Sequence, residues 1–266
     1  MSTVSAPSPG TSRLAVTFPR LLRSELIKLV TVRSTIWALS ISVVFVLAFA
    51  TIAALVSRGE DIFDGDASAG AMAPIVGVYL AQLFYIVLGV IGIGAEYSTG
   101  MIRSTLSAAP TRVPALLAKT GVLGVATFMV ALASVLVAFV LVQAILSSTT
   151  FGVSIGDPEV ARMLVGSALY LAFVTMLALS VGAIVRNTAA GISIMVTLLV
   201  VMPAFFPAIP WAPLDEILKY LPGAGESVMA FPGQVAHSTW VGFAILAAWT
   251  VGAGVVAAVL IKRRDA

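Results

Sequence analysis

The sequence predicts an all-α integral membrane protein with six transmembrane helices. Three observations lead to this fold class: 60% of the 266 residues are hydrophobic, only 10% are charged, and six long apolar stretches alternate with short polar segments. Soluble domains carry roughly 25% charged residues, and a membrane-spanning helix needs about 20 mostly apolar residues. We predict spans at 34–56, 73–94, 116–146, 160–185, 189–208 and 239–261.

The distribution of charge predicts which side of the membrane each connection occupies. Cytoplasmic loops carry an excess of Lys and Arg. Twelve of the 15 basic residues lie in the N-terminal arm, the second and fourth connections and the C-terminal tail, whereas nine of the 12 acidic residues lie in the other connections. Both termini are therefore predicted to be cytoplasmic, in a multi-pass protein of the cell (plasma) membrane. The same asymmetry explains the net charge of +3 without a nucleic-acid partner.

The N-terminal arm has two parts with different patterns. Residues 1–13 are rich in Ser, Thr and Pro, which predicts a disordered cytoplasmic tail. Within residues 14–33, apolar side chains recur at helical spacing while the basic residues fall largely off that stripe. This pattern predicts an amphipathic interfacial helix on the cytoplasmic membrane surface. The stripe consists of Phe18, Leu22, Leu26, Leu29 and Val30.

Residues 34–266 form the predicted six-helix domain, and its longest outer connection is 209–238. Pro213, followed by Asp215 and Glu216, is a typical helix start, because proline suits the first turn and acids favour the positive end of a helix. A short apolar face follows, and a second apolar patch lies around 228–231. We expect short re-entrant or interfacial helices in this connection.

The residues of the predicted spans offer little chemistry. No Asp, Glu, Lys, Arg or His lies in the middle of any of them, which disfavours a proton-coupled or ion-coupled carrier. The chain has no Cys and one His, so it lacks the residues for a thiolate or histidine metal centre. The motifs G-x-x-x-x-G-K-[ST] and H-E-x-x-H are also missing. We therefore predict no catalytic, metal-binding or cofactor-binding residue, and we do not expect this chain to be an enzyme.

One polar segment interrupts the apolar sequence between spans two and three. It reads GAEYSTGMIRSTLSAAPTR over residues 94–112, and the charge distribution predicts that it is cytoplasmic. Met101, Ile102 and Leu106 give residues 101–108 an apolar face over about two helical turns, and Pro110 ends the pattern. The pattern predicts a short cytoplasmic coupling helix within a segment at 96–114.

This segment resembles a signature of the ABC-2 type permease subunits of ATP-binding-cassette transporters. The preceding stretch LLRSELIKLVTVRSTIWAL, the six spans and the long outer connection are also similar to that family. The sequence departs from the signature at Met101, where the family commonly has Thr, whose hydroxyl can cap a short helix. The residues that match the signature are Glu96, Tyr97, Gly100, Arg103, Leu106, Pro110 and Arg112.

The resemblance implies a permease subunit that is driven by a separate cytoplasmic ATPase. That partner would bind ATP and Mg and would dock at the seven matching residues. A second permease chain, identical or related, would complete the pathway as a homodimer or heterodimer within the lipid bilayer. Because most members of the family are exporters, the resemblance favours efflux of an amphipathic compound, drug, peptide or lipid.

Two other functions remain open from the residues alone. One is a non-transporting ABC-like membrane scaffold for sensing or self-protection. The other is a secondary carrier, which the absence of ionisable residues inside the spans disfavours.

Glu96 provides the first test of the coupling prediction, because an acid at a basic cytoplasmic surface is expected to bind the coupling helix or the ATPase. We expect Glu96→Ala to leave membrane insertion unchanged and to weaken stimulation of the ATPase or transport. Both are measured on matched amounts of inserted protein. Unchanged transport in this variant would remove Glu96 from the site.

Overall fold

The computed structural model describes residues 17–59, 69–98, 112–147, 153–209, 211–230 and 237–263. The structure is 91% helical, and the described residues contain no strand. Six helical stretches are long and apolar enough to cross a membrane: Arg33–Ser57, Ala71–Ala95, Val113–Leu146, Pro158–Val185, Thr188–Ala208 and Thr239–Arg263. The predicted number of spans and their approximate bounds are therefore confirmed.

The helices are numbered here in chain order. They are α1 Phe18–Thr31, α2 Arg33–Gly59, α3 Ala69–Ser98, α4 Arg112–Leu146, α5 Pro158–Val185, α6 Thr188–Val196, α7 Met202–Phe205, α8 Ala212–Lys219 and α9 Thr239–Arg263. A π-helical turn, Thr197–Val201, joins α6 to α7 within the fifth span. Two 3-10 helices, Phe206–Ala208 and Pro222–Val228, lie before and after α8.

Helix α5 occupies the centre of the bundle. It is the most buried of the six candidate spans, and it packs against α3, α4 and α9. Small buried residues along α5, including Gly166, Ala172 and Ala178, let neighbouring backbones approach closely. Because lipid tails are as apolar as leucine, this close contact rather than the hydrophobic effect holds such helices together.

The contact between α3 and α5 is the tightest example of this packing. A methyl group built at Gly89 of α3 would lie against the carbonyl oxygen of Thr175 and within 2.7 Å of the Ala178 Cβ. These atoms belong to the backbone and the first side-chain carbon of α5, so they cannot rotate away. Glycine at this position is therefore required by the separation of the two helices.

The two ends of the bundle hold different elements. At one end, here called the α1 end, Leu29 of α1 joins a cluster with the start of α4 and with the last turns of α3, α5 and α9. The cluster includes Leu116 from α4, Ile93 from α3, Ala183 from α5 and Ile261 from α9. At the opposite end, the 3-10 helix Pro222–Val228 packs between α5 and α9. The described N-terminal and C-terminal helices thus meet at the α1 end.

Several sequence predictions concern residues outside the described ranges. The tail 1–13 and the coupling helix at 101–108 lie outside those ranges. A helix does occupy Phe18–Thr31, within the predicted range 14–33, and α8 and a 3-10 helix occupy the 209–238 connection. Their positions relative to the membrane, like the cytoplasmic side of the termini, stay predictions.

Gly89 tests whether the α3–α5 distance sets stability. We expect Gly89→Ala to lower the apparent melting temperature in lipid nanodiscs, because overpacking a tight contact costs about 1–3 kcal/mol. Gly121→Ala in α4 is the matched control, since a methyl group there meets nothing within 4 Å. Equal melting temperatures for the two variants would contradict the packing argument.

Candidate functional site

The described structure shows the two flanks of the predicted coupling segment. Glu96 and Tyr97 lie in the last turn of α3, which continues to Ser98, and Arg112 is the first residue of α4. Residues 99–111, which make up most of the predicted coupling segment 96–114, lie outside the described ranges. The side chains of Glu96 and Arg112 fall outside the described part, as do Gly100, Arg103, Leu106 and Pro110 in their entirety.

Tyr97 joins the end of α3 to the turn between α5 and α6. The guanidinium carbon of Arg186 lies 5.2 Å from the centre of the Tyr97 ring, within the range of a cation–π contact. Such a contact is worth about 0.5–1 kcal/mol at an exposed site and more where water is excluded. Tyr97 itself is partly buried.

The backbone of the α5–α6 turn holds Arg186 in an unusual conformation. Arg186 has a φ of 56°, in the left-handed region, and its N–H donates to the carbonyl of Gly182 at 2.9 Å, which ends α5. Asn187 then begins α6, because its side-chain oxygen accepts the N–H of Ala190 at 3.0 Å. A non-glycine residue in this region costs of order 1 kcal/mol or more. The turn is therefore sharp and well defined at both helix ends.

The end of α3 is also pressed against this turn. A methyl group added at Gly94, two residues before Glu96, would collide with the side chain of Thr188 at the start of α6. The end of α3, where the predicted coupling segment begins, is therefore held by one steric contact and one aromatic contact.

A second set of contacts fixes the start of α4 to α1. Glu25 of α1 is nearly buried, and its two carboxylate oxygens accept Lys28 Nζ at 2.7 Å and Lys119 Nζ at 2.8 Å. The Lys119 side chain is only 13% exposed. Water screens this pair weakly, so the attraction is stronger than at an open surface. Lys119 lies seven residues after Arg112, so the ion pair joins α1 to the helix that leaves the coupling segment.

A cavity separates α1 from α3 beside this ion pair. Its volume is about 290 Å³, and its walls come from α1, α2, α3 and α4. The walls are mainly apolar, with Leu29, Ile91 and Leu123 among them, and Glu25 and Lys119 line it as well. Helix α1 packs chiefly against α4, and the cavity lies between α1 and α3.

The contacts at the α1 end join the flanks of the predicted coupling segment to neighbouring helices. Both helices that flank the 99–111 connection are tied to neighbours at the α1 end, α3 through Tyr97 and α4 through Lys119. The described part of the chain holds no group of three or more His, Cys, Asp or Glu residues placed to bind a metal. A displacement of the connection would therefore reach α1, α5 and α6 through side-chain contacts.

Sequence reasoning found Tyr97 but overlooked Glu25, and it treated Lys119 and Arg186 only as basic loop residues. Glu25 lies on the face of α1 that packs on the bundle. Leu26 and Val30 belong to the predicted apolar stripe, yet both side chains are exposed. One signal was available, because Glu25 is an acid within an otherwise basic arm and is followed by Lys28 three residues later. That spacing is typical of a helical ion pair.

Two polar residues of the spans have structural roles. The side-chain oxygen of Gln143 in α4 accepts the N–H of Val153 at 2.9 Å, and the hydroxyl of Thr175 donates to the carbonyl of Leu171 at 2.9 Å. Both polar groups are therefore satisfied within the protein, as groups in an apolar environment require.

Neither protein-family models nor curated proteins give a match to this chain.

The Glu25–Lys119 pair gives a direct test of the link between α1 and α4. We expect Glu25→Gln to lower stability by roughly 2 kcal/mol, the range for a hydrogen bond to a charged group. The measurement is the apparent melting temperature of the full chain in nanodiscs. The exchange variant Glu25→Lys with Lys119→Glu should recover part of the loss, since opposite charges face each other again.

The matched control is Glu216→Gln, which removes an ion pair with Lys219 on α8. Glu216 is 66% exposed, so this variant should leave the melting temperature unchanged. Equal effects of Glu25→Gln and Glu216→Gln would contradict a structural role for the Glu25 pair.

Proposed function

We propose that this chain is the membrane-spanning permease subunit of an ATP-binding-cassette transporter. A separate cytoplasmic ATPase binds ATP and Mg and docks at the 96–114 segment. Its movement switches the helix bundle, and the work is used for export of an amphipathic compound, drug, peptide or lipid. Two permease chains, identical or related, form the pathway in the plasma membrane, with the α1 end facing the cytoplasm.

One observation carries this proposal: the polar segment that resembles the family signature is flanked by two helices that are each anchored to a neighbour. Tyr97 contacts Arg186 on one side, and Lys119 contacts Glu25 on the other. A loop that served only as a connector would need neither contact. Two anchored flanks suit a segment that receives force and passes it to the bundle.

The charge at the α1 end supports the orientation. Five basic residues lie in or next to the helix ends that meet there: Lys28, Lys119, Arg186, Lys262 and Arg263. Cytoplasmic surfaces of membrane proteins are enriched in such residues. A cytoplasmic ATPase has access to the coupling segment in this orientation alone.

The absence of a phosphate-binding loop in the sequence supports a division of labour. The P-loop motif wraps phosphates with backbone N–H groups, and it occurs nowhere in the 266 residues. A transporter built on this chain therefore takes its energy from a partner. Movement of cargo into vesicles, measured with and without ATP, distinguishes this function from a scaffold that moves nothing.

Site-specific photo-crosslinking tests the docking site. A photoreactive residue at Ser104, within the segment, should capture a protein that contains a P-loop when full-length protein is irradiated in native membranes. Mass spectrometry of the crosslinked product identifies the partner.

The matched control places the same photoreactive group at Ser147, which directly follows α4 at the opposite end. We expect no ATPase to be captured there. Capture of the same ATPase from both positions, or from neither, would contradict docking at the 96–114 segment.

A further inference from the structure

A polar cluster at the centre of the bundle contains a carboxyl group that comes from outside the spans. Tyr79 and Gln82 belong to α3, Tyr170 belongs to α5, and Glu226 belongs to the 3-10 helix Pro222–Val228. The hydroxyl of Tyr170 contacts the side-chain oxygen of Gln82 at 2.8 Å and that of Glu226 at 3.4 Å. Tyr79 also hydrogen-bonds Glu226. Tyr170 is fully buried, and Gln82 is nearly so.

The cluster lies near mid-height of the bundle, and Glu226, which is itself partly exposed, reaches it from outside the spans. Tyr170 lies twelve residues after the start of α5 at Pro158, which corresponds to roughly 18 Å along the helix. Gln82 lies near the middle of the second span, Ala71–Ala95. Sequence reasoning found no ionisable residue in the middle of a span, and that remains correct for the spans themselves. The carboxyl group of Glu226 nevertheless reaches them from the connecting segment.

Close backbone contacts hold the 3-10 helix at this depth. A methyl group at Gly166 of α5 would collide with the carbonyl of Val228, and one at Gly242 of α9 would collide with Ser227. Arg162 of α5 donates to the carbonyl oxygens of Val228 at 3.0 Å and Ala230 at 3.1 Å. The guanidinium thus satisfies backbone carbonyls at the end of the 3-10 helix and just after it, where helical hydrogen bonds stop.

With the side-chain oxygen of Gln82 facing the Tyr170 hydroxyl, the hydrogen-bond geometry favours a proton on Glu226. Tyr170 has a single O–H proton, and its shorter contact, 2.8 Å, is with the Gln82 oxygen. If the Tyr170 hydroxyl donates its proton to Gln82, the hydrogen bond between Tyr170 and Glu226 must use a proton of the Glu226 carboxyl group. A protonated Glu226 completes a continuous chain in which Glu226 donates to Tyr170 and Tyr170 donates to Gln82. An ionised Glu226 instead competes with Gln82 for the one phenolic proton.

The surroundings of Glu226 favour the same protonation state. Burial raises the pKa of Glu226 from 4.5 to about 7, against the opposing effect of the hydrogen bonds from Tyr79 and Tyr170. Two of the charged groups on the packed elements bind elsewhere, because Arg162 binds backbone carbonyls and Lys219 of α8 binds Glu216. Glu159 lies in the first turn of α5, far from Tyr170 along that helix. Helix α8 carries two acids, Asp215 and Glu216, and the π-helical turn carries no charged residue. The charged residues of α9 are Lys262 and Arg263, which lie at the α1 end.

We propose that Glu226 is a proton-binding site that latches the 3-10 helix Pro222–Val228 to the centres of α3 and α5. With the proton bound, the Glu226–Tyr170–Gln82 chain is complete and the segment is held between α5 and α9. Loss of the proton places an anion among buried groups and breaks the chain, so the segment is released.

The direction of the pH dependence follows from linkage. The docked segment holds its proton more tightly than the released one, in which the pKa of Glu226 returns to its ordinary value. Docking is therefore fully favoured below the ordinary pKa of 4.5 and weakens as the pH rises toward 7. The docking equilibrium constant falls about tenfold for each pH unit in this window. Above pH 7, the docking equilibrium constant should stay at its lowest value.

Infrared titration of the full chain in nanodiscs tests the site directly. We expect a protonated-carboxyl band that disappears as the pH rises through about 7 and that Glu226→Gln removes. Gln82→Met should shift this titration to lower pH, because Tyr170 can then give its proton to the carboxylate. If the carboxyl group had a merely structural role, Gln82→Met would leave its titration unchanged.

Hydrogen exchange at residues 222–230 tests the latch, after correction for the intrinsic pH dependence of exchange. Protection should fall by tenfold or more between pH 5 and pH 8 in the wild-type chain and should stay high in Glu226→Gln, which mimics the protonated form. A titration of Glu226 near its ordinary pKa would overturn the proposal. The same pH dependence of protection in the wild-type chain and in Glu226→Gln would also overturn it. Both readouts use the isolated chain, so they are independent of the ATPase.

Discussion

The close contact between α3 and α5 is the constraint on which the rest of the structure depends. Gly89 brings the two backbones together at a distance that admits no side chain between them. The most buried span is α5, and its neighbours α4 and α9 pack on the remaining faces. In an apolar solvent, such steric fit supplies the association energy that hydrophobic burial supplies in water.

Two of the polar contacts described above lie on this pair of helices. At the α1 end, Tyr97 of α3 meets Arg186, which directly follows α5. Near mid-height, Gln82 of α3 meets Tyr170 of α5, and Glu226 approaches from the opposite end. A closely packed pair moves as one body more readily than it deforms. Under the proposed function, force that enters at 96–114 would therefore reach the Glu226 latch through α3 and α5 together.

The fold was largely predictable, because the solvent imposes it. Backbone groups in lipid must be satisfied within helices, so span number and approximate bounds follow from apolar length alone, and the six predicted spans are confirmed. The sites were harder to predict, because they depend on contacts between distant residues. Glu25 and Lys119 are 94 positions apart in the chain, and Tyr170 and Glu226 are 56 apart. No periodicity encodes such pairs, and a close approach such as that at Gly89 is visible only once the helices are packed.

The central claim is that an external ATPase drives this chain, and the rate of ATP hydrolysis tests it most directly. The partner captured at the 96–114 segment is purified and assayed with empty nanodiscs and with nanodiscs that contain the full-length chain. The account predicts a several-fold higher rate of hydrolysis when the chain is present. The same rate in both preparations would contradict it.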